Sequence, residues 1–409
     1  MSDRGSGAVL GEAGKQRTIA FLNWAHAIDH YVMLIFPTVV IGLQAVYARS
    51  YAELIALSSA SFIAFGVFSL PAGWLADHWD RRSMMAVFYF GCGASLLAAG
   101  AAPNAVMLAV ALFSLGIFAA IYHPVGMAML IEVSQARGRT LAFNGVCGNM
   151  GAALAAGITA VLASLFSWRV AFFLPAAICL VTGLLYVKFM PREVHGGAKR
   201  QTAPAVALTP WLAAMVFGLF SVIALASGLT FNTLSIALPK IVDERLADHV
   251  PLVLVGGVAT AVFMCGALAQ LAMGRLVEWV GPHILLAAVV GLGVIGAVWA
   301  ANASGIALLA ALALAMVSIY GQVTVNDMVI ARYTADAWRG RVYAVRYFLL
   351  FITAGASVAM IALLHGRGGF DLVLLATAGV AFVFFVAAVA LAFLVSGAET
   401  KQPVAQPAE

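Results

Sequence analysis

Gly73-Trp74-Leu75-Ala76-Asp77-His78-Trp79-Asp80-Arg81-Arg82 joins two long apolar runs, 52–76 and 83–101, and packs four charges into a very short turn. Working outward from this turn, apolar runs repeat at about 20 to 28 residues, the length that carries a helix across a hydrocarbon core of roughly 30 Å. The runs are continuous, whereas membrane barrels show weak alternating segments. Helices are therefore the spanning structure, because lipid offers no partner for a backbone polar group. The chain is 64% hydrophobic and 10% charged, against about 25% charged for a soluble domain.

Twelve spans can be marked: 18–43, 52–76, 83–101, 104–131, 139–165, 168–190, 210–240, 252–278, 281–301, 304–331, 340–366 and 369–396. Pro103-Asn104 separates the third from the fourth, and Ser167-Trp168-Arg169 the fifth from the sixth. Alternate loops and the terminal segments carry 16 of the 22 Lys and Arg on one side. Five lie opposite (Arg49, Arg169, Lys240, Arg245 and Arg367), and Arg346 sits inside a span. The positive-inside rule then places both termini in the cytoplasm of a cell whose inner membrane the chain crosses. This charge balance needs no nucleic-acid partner. Cys92, Cys147, Cys179 and Cys265 fall within spans and read as small buried hydrophobes, with neither metal-ligand spacing nor a disulfide framework. A first span this long, behind a polar Gly-rich arm, does not read as a cleavable signal.

The halves repeat. Phe36-Pro37-Thr38-Val39-Val40 aligns with Leu238-Pro239-Lys240-Ile241-Val242, and Gly73-Trp74-Leu75-Ala76-Asp77 with Gly274-Arg275-Leu276-Val277-Glu278. Arg137-Gly138-Arg139 aligns with Arg339-Gly340-Arg341. The expected architecture is an all-α membrane protein of twelve transmembrane helices in two pseudo-symmetric six-helix bundles, related by an axis along the membrane normal. The bundles would cover 18–190 and 210–396, with an N-terminal arm 1–17, a cytoplasmic linker 191–209 and a tail 397–409. One chain suffices for this architecture, so it is expected to work as a monomer in the bilayer.

Polar residues inside spans carry the chemistry, because a charge facing lipid costs at least about 2.5 kcal/mol. His26, Asp29 and His30 are spaced by three and four, on one side of a helix. Asp29 lies about 16 Å along its span at 1.5 Å per residue and should face a cavity. There it reads as a proton carrier or substrate contact, the imidazoles sharing the proton, or else as a polar cluster gluing helices together. His123, in Tyr122-His123-Pro124, is a third imidazole beside a helix-bending proline; a satisfied structural histidine is the other reading. Arg346 is either an anchor for an anionic substrate, since Arg forks onto carboxylate or phosphate, or the partner of Asp327. Tyr31, Asn144, Asn149, Asn232 and Gln322 are further candidates to line a substrate path, while Gly145, Gly148, Gly151 and Gly157 read as close helix contacts. Arg81 should pair with Glu132, and Asp77 could face a helix N-terminus. The sequence holds no nucleophile elbow, H-E-x-x-H or Walker loop, so neither an enzyme nor an ATP-driven pump is expected, and no metal or cofactor is assigned.

Gly73 to Arg82 resembles the G-x-L-A-D-x-x-D-R-R signature between helices 2 and 3 of the major facilitator superfamily, and the resemblance extends over essentially the whole chain. It implies alternating access, with Gly73, Asp77, Arg81, Arg82 and Glu132 as a latch; the matching Asp of the superfamily braces helix 11. His26-Ala27-Ile28-Asp29-His30-Tyr31, Tyr122-His123-Pro124 and Gly148-Asn149-Met150-Gly151 are similar to motifs of the fosmidomycin-resistance efflux group. Val125 stands where that group has Glu, and Ala155-Ala156 where Gly-Pro often follows. The resemblance implies export of a small, amphiphilic or anionic compound by proton antiport. Uptake of an organic anion by proton symport is the alternative, and a non-transporting receptor or scaffold a remote one.

Overall fold

The computed structural model describes residues 11–134, 137–190, 209–246, 250–334 and 336–399. Eleven helices in it are long and apolar enough to cross a membrane. The last, Asp336–Glu399, is two helices run together across non-helical backbone at Gly368 and Gly369, so twelve spanning segments result. They are α1 (Glu12–Tyr47), α2 (Ser59–His78), α3 (Arg81–Ala101), α4 (Ala105–Val133), α5 (Arg137–Leu165) and α6 (Val170–Phe189). There follow α7 (Pro210–Arg245), α8 (Leu252–Leu276), α9 (Pro282–Asn302), α10 (Gly305–Tyr333), α11 (336–367) and α12 (370–399). The protein is a multi-pass membrane protein. Large apolar side chains such as Val110, Leu184 and Phe393 stand exposed along the helices, as lipid-facing surface requires.

Local chemistry sets the helix ends. Asp80 caps α3, its carboxylate accepting from the Ser83 amide at 2.8 Å and the Arg82 amide at 3.3 Å. Asn104 caps α4 through the Met107 amide at 2.9 Å. Gly369 takes φ +60°, a left-handed value that a side chain resists, and the chain breaks there. Two departures from the expected spans follow from local sequence. Ser50 and Glu53 form a capping box that starts a separate short helix, Tyr51–Ile55, before α2. Within α4 the turn Tyr122–Gly126 is π-helical, because Pro124 has no N–H to give to the regular ladder.

The chain divides into two units, one of residues 1–49 and 57–199, the other of 50–56 and 200–409. In the first, α1 lies along α5, α2 along α4 and α3 along α6. In the second, α7 lies along α11, α8 along α10, and α9 against α10 and α12. The internal repeat thus appears as one pairing scheme used twice. Glycine permits the closest approaches. A Cβ at Gly151 would collide with the backbone carbonyl of Ala27, and one at Gly116 with that of Ser61.

Candidate functional site

Three imidazoles and one carboxylate converge inside the first unit. His26, Asp29 and His30 project from consecutive turns of α1, and the π-helical turn of α4 brings His123 onto them. Ring centroids lie 4.8 Å apart for His26 and His30, 5.4 Å for His26 and His123, and 5.7 Å for His30 and His123. Asp29 is 1% exposed; its Oδ2 lies 3.3 Å from His123 Nε2, and its Oδ1 has no hydrogen-bond partner. Phe65 closes on His123 at 5.9 Å, and Tyr122 stacks on His26 at 4.8 Å.

Asn144 organises this region. Its backbone carbonyl lies 2.8 Å from His26 Nδ1. A carbonyl only accepts, so His26 carries its proton on Nδ1 and presents a lone pair at Nε2. The Asn144 amide nitrogen donates to Asn23 Oδ1 at 2.9 Å, and the Tyr122 hydroxyl donates to Asn144 Oδ1 at 3.1 Å. Asn144 is fully buried and tied to α1 and α4 by these bonds, so it supports the cluster from behind. Gly148 gives His26 room, since a Cβ there would come within 2.6 Å of its ring.

The other sequence candidates fall into separate places. Tyr31 lines a cavity of about 810 Å³ among α1, α5 and α6, with Asn23, Trp24, Met150 and Leu154; its walls are mostly apolar. Asn149 is half-buried on α5. In the second unit, Asn232 donates to the Gly228 carbonyl at 2.8 Å and the Leu350 carbonyl at 3.3 Å. Gln322 is 2% exposed, donates to the Ile319 carbonyl at 3.1 Å and accepts from Asn326. Arg346, itself buried, pairs with the half-exposed Asp327. Around the 73–82 turn, Arg81 bridges α3 to Glu132 of α4 at 3.2 Å. Arg82 ties α3 to the end of α6, donating to the carbonyls of Val187 at 2.6 Å and Met190 at 3.0 Å. Gly73 faces Pro124 at ordinary contact distance. The side chain of Asp77 lies outside the described residues, as do those of Arg137, Arg139, Arg339 and Arg341, the linker 191–208 and both chain ends.

Sequence reasoning missed Asn23 and Tyr122 as supports of the cluster; the signal of Asn23 was its polarity three residues before His26, and that of Tyr122 its place next to His123. It also missed a network in the second unit. Lys240 bonds Asp243 at 2.6 Å and Glu244 at 3.4 Å, and Glu244 reaches His365 at 3.1 Å. The α7 partners were readable from their spacing of three and four, but His365 comes from α11, 121 residues away.

The sequence model of the Major Facilitator Superfamily matches residues 19–323, and the chain belongs to that superfamily of transporters. It is 31% identical over 142 residues to the puromycin resistance protein pur8 of Streptomyces alboniger, covering 34% of this chain and 28% of that protein. It is 34% identical over 131 residues to a lincomycin resistance protein of Streptomyces lincolnensis, covering 30% and 26%. The matches thus span about a quarter of the length of these relatives. In fold, the chain is similar to a bacterial homolog of the human lysosomal transporter Spinster in an inward-facing, occupied conformation. That likeness has a TM-score of 0.77 at 14% identity, covering 98% of this chain and all of the other. The unoccupied form of the same transporter gives a TM-score of 0.73 at 13% identity, covering 95% and 96%.

Proposed function

We propose that this transporter exports a small organic solute across the inner membrane by proton antiport, through alternating access, with both termini in the cytoplasm. The observation that carries the reading is Asp29, 1% exposed at mid-span and 3.3 Å from His123 Nε2. A buried carboxylate beside an imidazole is a place to hold one proton. Moving that proton changes the local charge, which biases one state of a two-state carrier. Asp29 is the carrier, and His123, His26 and His30 share the proton. Similarity to two antibiotic-resistance proteins supports export of a drug-like compound. Arg346, buried on α11 and paired with Asp327, would read a negative group on the solute. Arg81 with Glu132, Arg82, Gly73 and Asp77 form the latch around the 2–3 turn.

The test uses the full chain in proteoliposomes with a trapped pH dye and labelled puromycin. Under an imposed pH gradient, the label should move against the proton flux, and adding puromycin should discharge the gradient. Movement of label together with protons would establish symport instead. No gradient-dependent movement of puromycin, lincomycin or a panel of organic anions would contradict the reading.

A further inference from the structure

The sequence assigns no metal to this chain, yet the fold assembles a ligand set. One ligand atom from each of His26, His30 and His123 can be chosen so that all three lie within 4.8 Å of one another. His26 and His30 are four residues apart on one helix, the spacing by which two imidazoles chelate a single ion. His123 arrives from α4 to make a third. We propose that the His26–His30–His123 cluster, with Asp29, is a binding site for a divalent transition-metal ion of the Zn²⁺ class. The inference rests on the same cluster as the transport reading, and concerns what else that cluster can bind.

Three features of the geometry support it. First, the Asn144 carbonyl holds His26 by Nδ1 at 2.8 Å and leaves Nε2 as the ligand atom. That is the outer-shell bond a metal-bound histidine normally makes. Second, Asp29 holds His123 at 3.3 Å, and a carboxylate behind a histidine orients the ring and raises its basicity as a ligand. Third, Asp29 Oδ1 is buried without a partner. An orphaned carboxylate oxygen in a nearly dry site calls for a donor, and a metal-bound water in the fourth position, which three-histidine zinc sites keep open, would supply one. Tetrahedral coordination at about 2.0–2.1 Å needs nitrogens about 3.3 Å apart, so each ring closes by less than about 1 Å through side-chain rotation alone. Three imidazole nitrogens suit Zn²⁺, Co²⁺ or Ni²⁺ rather than Mg²⁺ or Ca²⁺, which take oxygen. Ligand atoms must be deprotonated to bind, so metal and proton exclude one another at this cluster.

The test is a CoCl₂ titration of the full, tag-free chain in detergent after chelator treatment, followed by visible absorption. One equivalent should give the d–d bands of a four-coordinate site, and ZnCl₂ should bleach them. His30→Gln and His123→Gln should each weaken binding at least about tenfold, with thermal midpoint and monodispersity showing that each variant is folded. Should both fail to fold, X-ray absorption at the cobalt edge of the wild-type complex should show imidazole scattering, and its absence would overturn the proposal. Absence of bands in the wild type at about 1 mM Co²⁺, far above the range of built metal sites, would overturn the proposal. Equal affinity in the His variants would do the same, by placing the ion elsewhere. Binding needs no gradient, so the two readings fail separately. Bound Co²⁺ without proton-driven flux removes the transport mechanism alone, and proton-driven solute movement without bound Co²⁺ removes the metal alone.

Discussion

Asn144 shows how much of the candidate site is held in place by hydrogen bonds between its own side chains. Three of its polar groups are taken by α1 and α4 side chains, and replacing it strands Asn23 and the Tyr122 hydroxyl in a buried place. Asn144→Leu should therefore lower stability by about 1–3 kcal/mol, the cost of unpaired buried polar groups, read as a fall in thermal midpoint in detergent. Gly151 makes the complementary case. A side chain there meets the Ala27 backbone carbonyl, which cannot rotate away. Gly151→Val should destabilise by about 1–3 kcal/mol through overpacking, whereas Gly257→Ala, whose Cβ meets nothing, should hold or raise the midpoint, since Ala favours a helix interior over Gly. The residue scale was partly legible in the sequence. His26, Asp29 and His30 declared themselves by spacing on one helix. Tyr122 and Asn23 did not, because a buried polar residue reads the same whether it lines a path or braces another side chain.

At the scale of elements, the π-helical turn of α4 places His123. Without the wide turn, residues beyond it would shift register relative to α1. Pro124→Ala restores the missing N–H and allows the turn to tighten into regular helix. Gradient-driven transport should then fall by about tenfold or more, the cost of a misplaced reacting group, with the thermal midpoint held or raised. Transport unchanged by this variant would show that the turn does not position His123. The Arg81–Glu132 bridge between α3 and α4 is part-exposed on both sides. A double-mutant cycle should assign it only about 0.2–1 kcal/mol of coupling energy. A latch must open, and a weak bond is consistent with that. The element scale was legible where composition is monotonous: spans and the 2–3 turn followed from apolar length and charge. At Pro124 the bend was legible but not its π-helical form, and the short helix that the Ser50–Glu53 capping box starts was missed.

Across the whole molecule, the internal repeat shows as one helix-pairing scheme present in both units, while the cluster of Asp29 with His26, His30 and His123 lies in the first. The counterpart of His30 in the second unit is Asn232 and that of Asp29 is Phe231, so the repeat preserves the scaffold and not the chemistry. That asymmetry was visible in the aligned halves. The convergence of His123 on Asp29 was not, because it joins residues 94 positions apart, and Pro124 announces a bend without its direction. The central claim is that Asp29 links proton movement to solute movement, and the most direct measurement compares two partial reactions of Asp29→Asn in proteoliposomes. The amide keeps the shape and loses the titratable proton. Gradient-driven accumulation of labelled solute should be lost, while exchange of labelled for unlabelled solute at equal pH should continue. Accumulation that persists in Asp29→Asn at the wild-type rate would contradict the mechanism.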